Sequence, residues 1–161
     1  MILGMSTATF TLAHVVISLI GILAGAVVLA GMIAGERLGS ANAVFLVTTV
    51  ATSVTGFFFQ SAGFGPPQVL GVISLVALAV ALFALYGRRL AGSWRAVYVV
   101  SAVLALYLNV FVAIVQAFQK LSPLKTLAPT QAEPPFVVAQ AVVLVAFVIF
   151  GILAIRRFRP A

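Results

Sequence analysis

Apolar residues gather along this chain into five long stretches separated by short polar connections. The stretches are Phe10–Ala34, Ala41–Phe59, Val69–Gly87, Ala96–Phe118 and Phe136–Ile155. Each has ~19 residues or more, and a helix of ~20 residues rising ~1.5 Å per residue crosses a ~30 Å hydrocarbon core. The pattern predicts an all-α integral membrane bundle of five transmembrane helices in a single domain, residues 1–161. The first stretch reads as a retained helix: Met1–Thr9 carries no positive side chain, and the apolar run outlasts a signal-peptide core.

The polar residues inside the stretches have their own order. In the first stretch His14, Ser18, Gly21 and Gly25 follow steps of four, three and four, so they share one helical face. Gly21 to Gly25 and Gly31 to Gly35 both have GxxxG spacing, which lets two helix backbones approach closely. The second stretch holds Thr48, Thr49, Thr52, Ser53 and Thr55, and Gln60 follows it. Thr48, Thr52 and Thr55 share one face; Thr49, Ser53, Gly56 and Gln60 share another. The third stretch is nearly featureless apart from Ser74. The fourth carries a stripe of Ser101, Asn109, Gln116 and Lys120 on one face, and the fifth a lone amide, Gln140. An amide in hydrocarbon is costly without a partner, so the stripe is expected to face the bundle interior or a pore.

The connections are turns by composition. Gly35–Ser40 makes the first two helices antiparallel neighbours. Gln60–Gln68 contains glycine and two prolines. Lys120–Pro135 is the longest, and its four prolines discourage a long helix. Thr130 to Glu133 matches a capping box, and Glu133 before Pro134 is an alternative start for the last helix. This segment has the length and place of a lid over one end of the bundle.

Charge then orients the bundle. The chain has 9 Lys and Arg against 2 Asp and Glu, a net charge of +7. Arg37, Arg88, Arg89, Arg95, Arg156, Arg157 and Arg159 fall in connections on one side; only Lys120 and Lys125 fall on the other. By the positive-inside rule the N-terminus lies outside and the C-terminus is cytoplasmic, in the inner (plasma) membrane. The basic balance is thus a topology signal, and no nucleic-acid partner is expected. Tyr86, Trp94 and Tyr98 beside the arginines read as an interfacial aromatic belt.

Composition excludes much chemistry. There is no Cys, no Asp and one His, and the two carboxylates, Glu36 and Glu133, fall on opposite sides. Disulfides, thiolate or carboxylate metal sites, paired-carboxylate catalysis and a Ser–His–Asp triad are ruled out within one chain. No P-loop spacing occurs, and a single His does not supply bis-His haem ligation. No cofactor and no metal are expected.

With this topology His14, Ser18, Thr52, Ser53, Thr55, Gln60, Gln116, Gln140 and the deeper Asn109 all fall in the outer half of the bundle. Two readings follow: a polar cavity open to the outside with His14 as its titratable group, or hydrogen bonds that hold helices together.

The segments Leu106–Phe111 (LYLNVF), Leu127–Phe136 (LAPTQAEPPF) and Thr48–Phe58 (TTVATSVTGFF) resemble small bacterial inner-membrane proteins that carry no assigned function. The resemblance implies a bacterial multi-pass membrane protein and brings no activity. The function expected is non-enzymatic: an accessory or assembly subunit of a membrane complex, or a homo-oligomer, contacting membrane lipids, other membrane subunits, or its own copies through the Gly21/Gly25 face. The alternative is a small channel or transporter for a neutral or weakly polar solute. A membrane enzyme acting on lipid or quinone through His14 is the third reading.

Overall fold

Five long helices overlap the five apolar stretches. The computed structural model describes residues 1–160. Helix α1 is Thr7–Ala34, α2 Gly39–Gly56, α3 Pro66–Leu82, α4 Trp94–Lys120, α5 the short Ser122–Leu127, and α6 Pro134–Arg157. α3 continues into a π-helical turn, Phe83–Gly87. No strand forms among the described residues.

Local chemistry sets the ends. Ser6 caps α1 by accepting from the Thr9 amide at 3.1 Å. Gly35 ends α1 in the left-handed conformation (φ 82°), donating its N–H to the carbonyls of Gly31 and Met32. Proline opens α3 and α6, where a missing N–H costs nothing. α6 therefore starts by the second of the two devices expected: Pro134 leads the helix, and Glu133 precedes it without capping it.

The helices run up and down in a ring. α1 packs on α2, α2 on α3, α3 on α4, α4 on α6, and α6 closes on α1. α1 also touches α4 across the middle. One end of the ring gathers the N-terminus, the Gln60–Gln68 loop and the α5 segment. The other carries all seven arginines. The contiguous core lies toward the arginine end: Val28 and Met32 from α1, Phe45 from α2, Leu78 from α3, Val99 and Leu106 from α4.

Among the described residues four helices are long and apolar enough to cross a membrane: Thr7–Ala34, Pro66–Gly87, Trp94–Lys120 and Pro134–Arg157. α2 is 18 residues long and is not among them. Its hydroxyls and Asn42 dilute its hydropathy. Even so, its buried residues Asn42, Phe45, Leu46 and Thr49 form a helical stripe that packs into the bundle. Elsewhere the outer surface is apolar. α6 buries only Ala154 and exposes Val142, Val145, Val148 and Ile152. An apolar surface of that extent fits hydrocarbon and not water.

The glycine face of α1 is turned inward. A Cβ on Gly25 would lie 2.6 Å from Leu106 Cδ1 and 2.9 Å from the Phe45 ring. The face that GxxxG spacing marks as sticky is thus occupied by α2 and α4 of the same chain.

The Lys120–Pro135 segment is tied to its own helix. Gln131 Nε2 donates to the Val115 carbonyl (3.0 Å), and Gln119 Nε2 donates to Gln131 Oε1 (3.3 Å). The Glu133 carboxylate accepts from the Thr130 hydroxyl at 2.8 Å and from the Thr130 and Ala132 amides. Desolvation pushes this carboxyl up, but the hydrogen bonds outweigh it and hold it below its usual value. A depressed pKa contributes stability above the ordinary glutamate value of 4.5, lost as pH falls through the lower folded value. The Thr130 and Ala132 amides should therefore be protected from hydrogen exchange near neutral pH and lose that protection only once the pH falls well below 4.5. Glu133→Gln should abolish the pH dependence; equal protection at both pH values in the wild type would contradict it.

Candidate functional site

The polar residues at the end opposite the arginines separate into small, distinct contacts. His14 on α1 meets Thr55 on α2: Nδ1 and Oγ1 are 2.7 Å apart. Thr55 directs its single proton to the Ala51 carbonyl at 2.6 Å, so His14 Nδ1 is assigned as the donor. The half-buried imidazole lies edge-on to Phe59 (centroids 5.0 Å apart, 82°), and Phe59 packs on Phe10 at 5.2 Å. This aromatic group, supplied by the start of α1 and the end of α2, covers His14 on one side.

Ser53 and Ser74 join α2 to α3 at 3.0 Å. Ser53 donates to the Thr49 carbonyl (2.9 Å), so Ser74 is the donor between them. Gln140 Nε2 joins α6 to α4 through the Phe111 carbonyl at 3.2 Å. Ser18 and Thr52 bond back to their own helix, at Val15 O (2.8 Å) and Thr48 O (2.8 Å). Such back-bonding is the usual fate of a hydroxyl in a membrane helix. Gln60 and Gln116 are exposed. The expected polar cluster therefore resolves into two side-chain pairs (His14–Thr55 and Ser53–Ser74), one amide-to-backbone link, two back-bonded hydroxyls and two surface amides.

Asn109 belongs to a different place. At mid-helix, the Cβ position of Gly21 lies 3.1 Å from Thr48 Oγ1, 3.2 Å from Thr49 Oγ1 and 3.4 Å from Asn109 Nδ2. Thr49 is 1% exposed, and its Oγ1 and Asn109 Nδ2 have no hydrogen-bond partner. Gln140 Oε1 is the third such buried atom among the described residues. The missing side chain of Gly21 thus brings polar groups of α2 and α4 together inside the bundle. Thr48 and Thr49 were legible as part of the hydroxyl run, but nothing in the sequence ties them to Asn109 on another helix.

Sequence reading also misses two contacts at the arginine end. Tyr98 is not in an interfacial belt: it is 2% exposed, and its hydroxyl donates to Asn42 Oδ1. Arg95 is not simply a loop charge. Its Nη1 donates to the carbonyls of Ile155 and Phe158 and so satisfies the C-terminal end of α6. The signals present were the 3.6-residue spacing of Tyr98 with buried Ser101 and Ala105, and an arginine facing a helix end.

A groove of about 610 Å³ lies on the outer surface between α3 and α4, lined almost wholly by valine, leucine, isoleucine and alanine. It includes none of the residues in the expected polar cluster. Among the described residues no three His, Cys, Asp or Glu side chains gather where a metal ion could sit. No protein-family model, curated protein or solved structure matches the chain.

The two kinds of hydroxyl should respond oppositely to removal. Thr55→Val deletes the partner of His14 and should cost about 0.6–1.7 kcal/mol, the range for interhelical hydrogen bonds in membranes. Thr49→Val removes a buried oxygen that has no partner and should change stability by less than about 0.5 kcal/mol, or raise it. Reversible unfolding in mixed detergent micelles measures both, and a larger loss for Thr49→Val than for Thr55→Val reverses the ordering.

Proposed function

We propose that this chain is a five-span, multi-pass protein of the bacterial inner membrane that works by packing: an accessory or assembly subunit, or a homo-oligomer. The observation that carries this reading is the contrast between interior and surface. Most interior polar side chains are spent on local links between helices or on their own backbone carbonyls, while α6 presents almost its entire apolar length outward. A helix with one buried residue is poorly used as a core element and well placed as a contact surface. On this reading self-association runs over α6, since α2 and α4 already cover Gly21 and Gly25.

The five-span topology places α2 in the membrane beside its four more apolar neighbours. Up-and-down packing then puts seven arginines on one face and two lysines on the other, which supports an outside N-terminus and a cytoplasmic C-terminus. A second reading, a small channel or transporter, draws on the unpaired Thr49 Oγ1 and Asn109 Nδ2 at mid-depth. It requires a solute that hydrogen-bonds there. It also requires assembly into an oligomer.

Native mass spectrometry of protein gently extracted from its own membrane tests the packing reading. Stoichiometric foreign subunits, or a defined homo-oligomer lost on placing Trp at Val145, are the expected outcomes. A homo-oligomer free of foreign subunits that carries a small solute, and loses it when Asn109 is replaced, would favour the second reading instead. The chain has no cysteine, so single cysteines report topology directly. Cysteine at Ala62 or Thr130 should react with an impermeant reagent in intact cells, and cysteine at Ala91 only after lysis; the reverse pattern would invert the orientation.

A further inference from the structure

The groove between α3 and α4 ends at the arginine loop, and the two features form one surface. Val76 and Val80 of α3 face Val97, Val100 and Leu104 of α4 across it. Val76 (57% exposed) and Val100 (53%) leave it open to the surroundings of the bundle. From Val72 to Val80 it runs about 12 Å at 1.5 Å per residue, close to one leaflet's half of the ~30 Å core. One turn beyond Val80 stands Phe83; one turn before Val97 stands Trp94. Their rings meet edge to face, 5.2 Å apart at 75°, at the groove's arginine end. Arg88 lies over the Trp94 ring with its guanidinium carbon 5.4 Å from the centroid.

The loop above this pair is fixed by backbone bonds. Arg88 N–H donates to Phe83 O (2.9 Å) and Leu90 N–H to Ala84 O (2.9 Å), closing the π-helical turn. Arg89 and Leu90 both take positive φ, 49° and 59°. That conformation is costly for residues other than glycine, and it is held here by the closed turn. Arg88 and Arg89 are exposed. Arg95, by contrast, is engaged with α6 carbonyls. The chain has only two carboxylate side chains: Glu133 is taken up by Thr130 at the far end of the bundle, and Glu36, at the arginine end, lies beside Arg37 in the α1–α2 turn and does not line the α3–α4 groove.

We propose that this surface binds one anionic phospholipid. The acyl chain lies along the α3–α4 groove, the Phe83–Trp94 pair sits at the level of the ester linkages, and Arg88 and Arg89 hold the phosphate. Guanidinium forks match phosphate oxygens, and aromatic rings favour the depth between headgroup and chain. Two adjacent basic side chains at the surface, with no acid between them, select a net negative headgroup over a zwitterionic one. The one polar residue in the lining, Ser101, spends its hydroxyl proton on the Val97 carbonyl, so the groove fits a hydrocarbon chain better than a polar solute. The inference depends on the shared end of groove and arginines, and holds whichever side of the membrane that end faces.

The test uses the whole purified chain, stripped of lipid in mild detergent and re-equilibrated with equimolar phosphatidylglycerol and phosphatidylcholine, with retained lipid counted by native mass spectrometry. The wild type should retain phosphatidylglycerol roughly tenfold over phosphatidylcholine. The surface variant R88Q/R89Q should bring that ratio near one, while R156Q/R157Q, exposed arginines at the same end, should leave it unchanged. Val100→Trp should lower retention of both lipids with the arginines intact. Equal retention of the two lipids by the wild type would overturn the proposal. So would an unchanged ratio in R88Q/R89Q, or an equal fall in R156Q/R157Q, which would mark general surface charge. Should Val100→Trp fail to fold, the two arginine variants still decide the matter.

Discussion

The close approach of α1 to α2 and α4 is the contact on which the rest of the bundle depends. At Gly25 there is no room for a side chain: the Phe45 ring and the Leu106 methyl occupy the space that a Cβ would need. One turn higher, Gly21 lets Thr48, Thr49 and Asn109 reach the same spot. A ring of five helices leaves its centre to be filled, and here α1 leans across to touch α4 and fills it. Dispersion contacts of this kind, rather than a hydrophobic driving force, hold helices together in lipid, so interlocking at small residues matters more than apolar character. The core residues from five helices gather on the arginine side of this crossing.

Helix positions were legible because an apolar run long enough to cross a bilayer has a single length scale. The stretch at 96–118 became α4 at Trp94–Lys120, and that at 136–155 became α6 at Pro134–Arg157. Proline at the first helical position fixed the start of α3 and α6, as their sequences imply. α2 is the ambiguous element for the same reason read backwards: its hydroxyls and Asn42 lower its hydropathy, yet Thr48, Thr52, Ser53 and Thr55 bond to carbonyls one turn back and Asn42 accepts from Tyr98, so most of them cost little inside a bundle.

The candidate site was less legible. Helical spacing tells which residues share a face, but not which helix that face meets. His14 and Thr55 lie 41 positions apart and find each other only because α1 and α2 are antiparallel neighbours. Shared depth, by contrast, was a poor guide: Gln60 and Gln116 have the depth of the others and point outward. The glycine spacing showed a close contact and not its partner, since GxxxG serves equally between two chains and within one. Tyr98 shows the limit of position-based reading, for a tyrosine near arginines looks interfacial until its hydroxyl is seen inside the bundle on Asn42.

The π-helical turn at Phe83–Gly87 gives the end of α3 a phase of its own. A wider turn holds one more residue than regular winding, and one residue corresponds to about 100° around a helix. The chain therefore leaves α3 in a different compass direction from the one that valine spacing upstream would dictate. Directly after that turn, Arg88 lies over the Trp94 ring. A winding irregularity of a single residue thus acts as a built-in angle setting between two helices, coupling the exit direction of one to the aromatic anchor of the next.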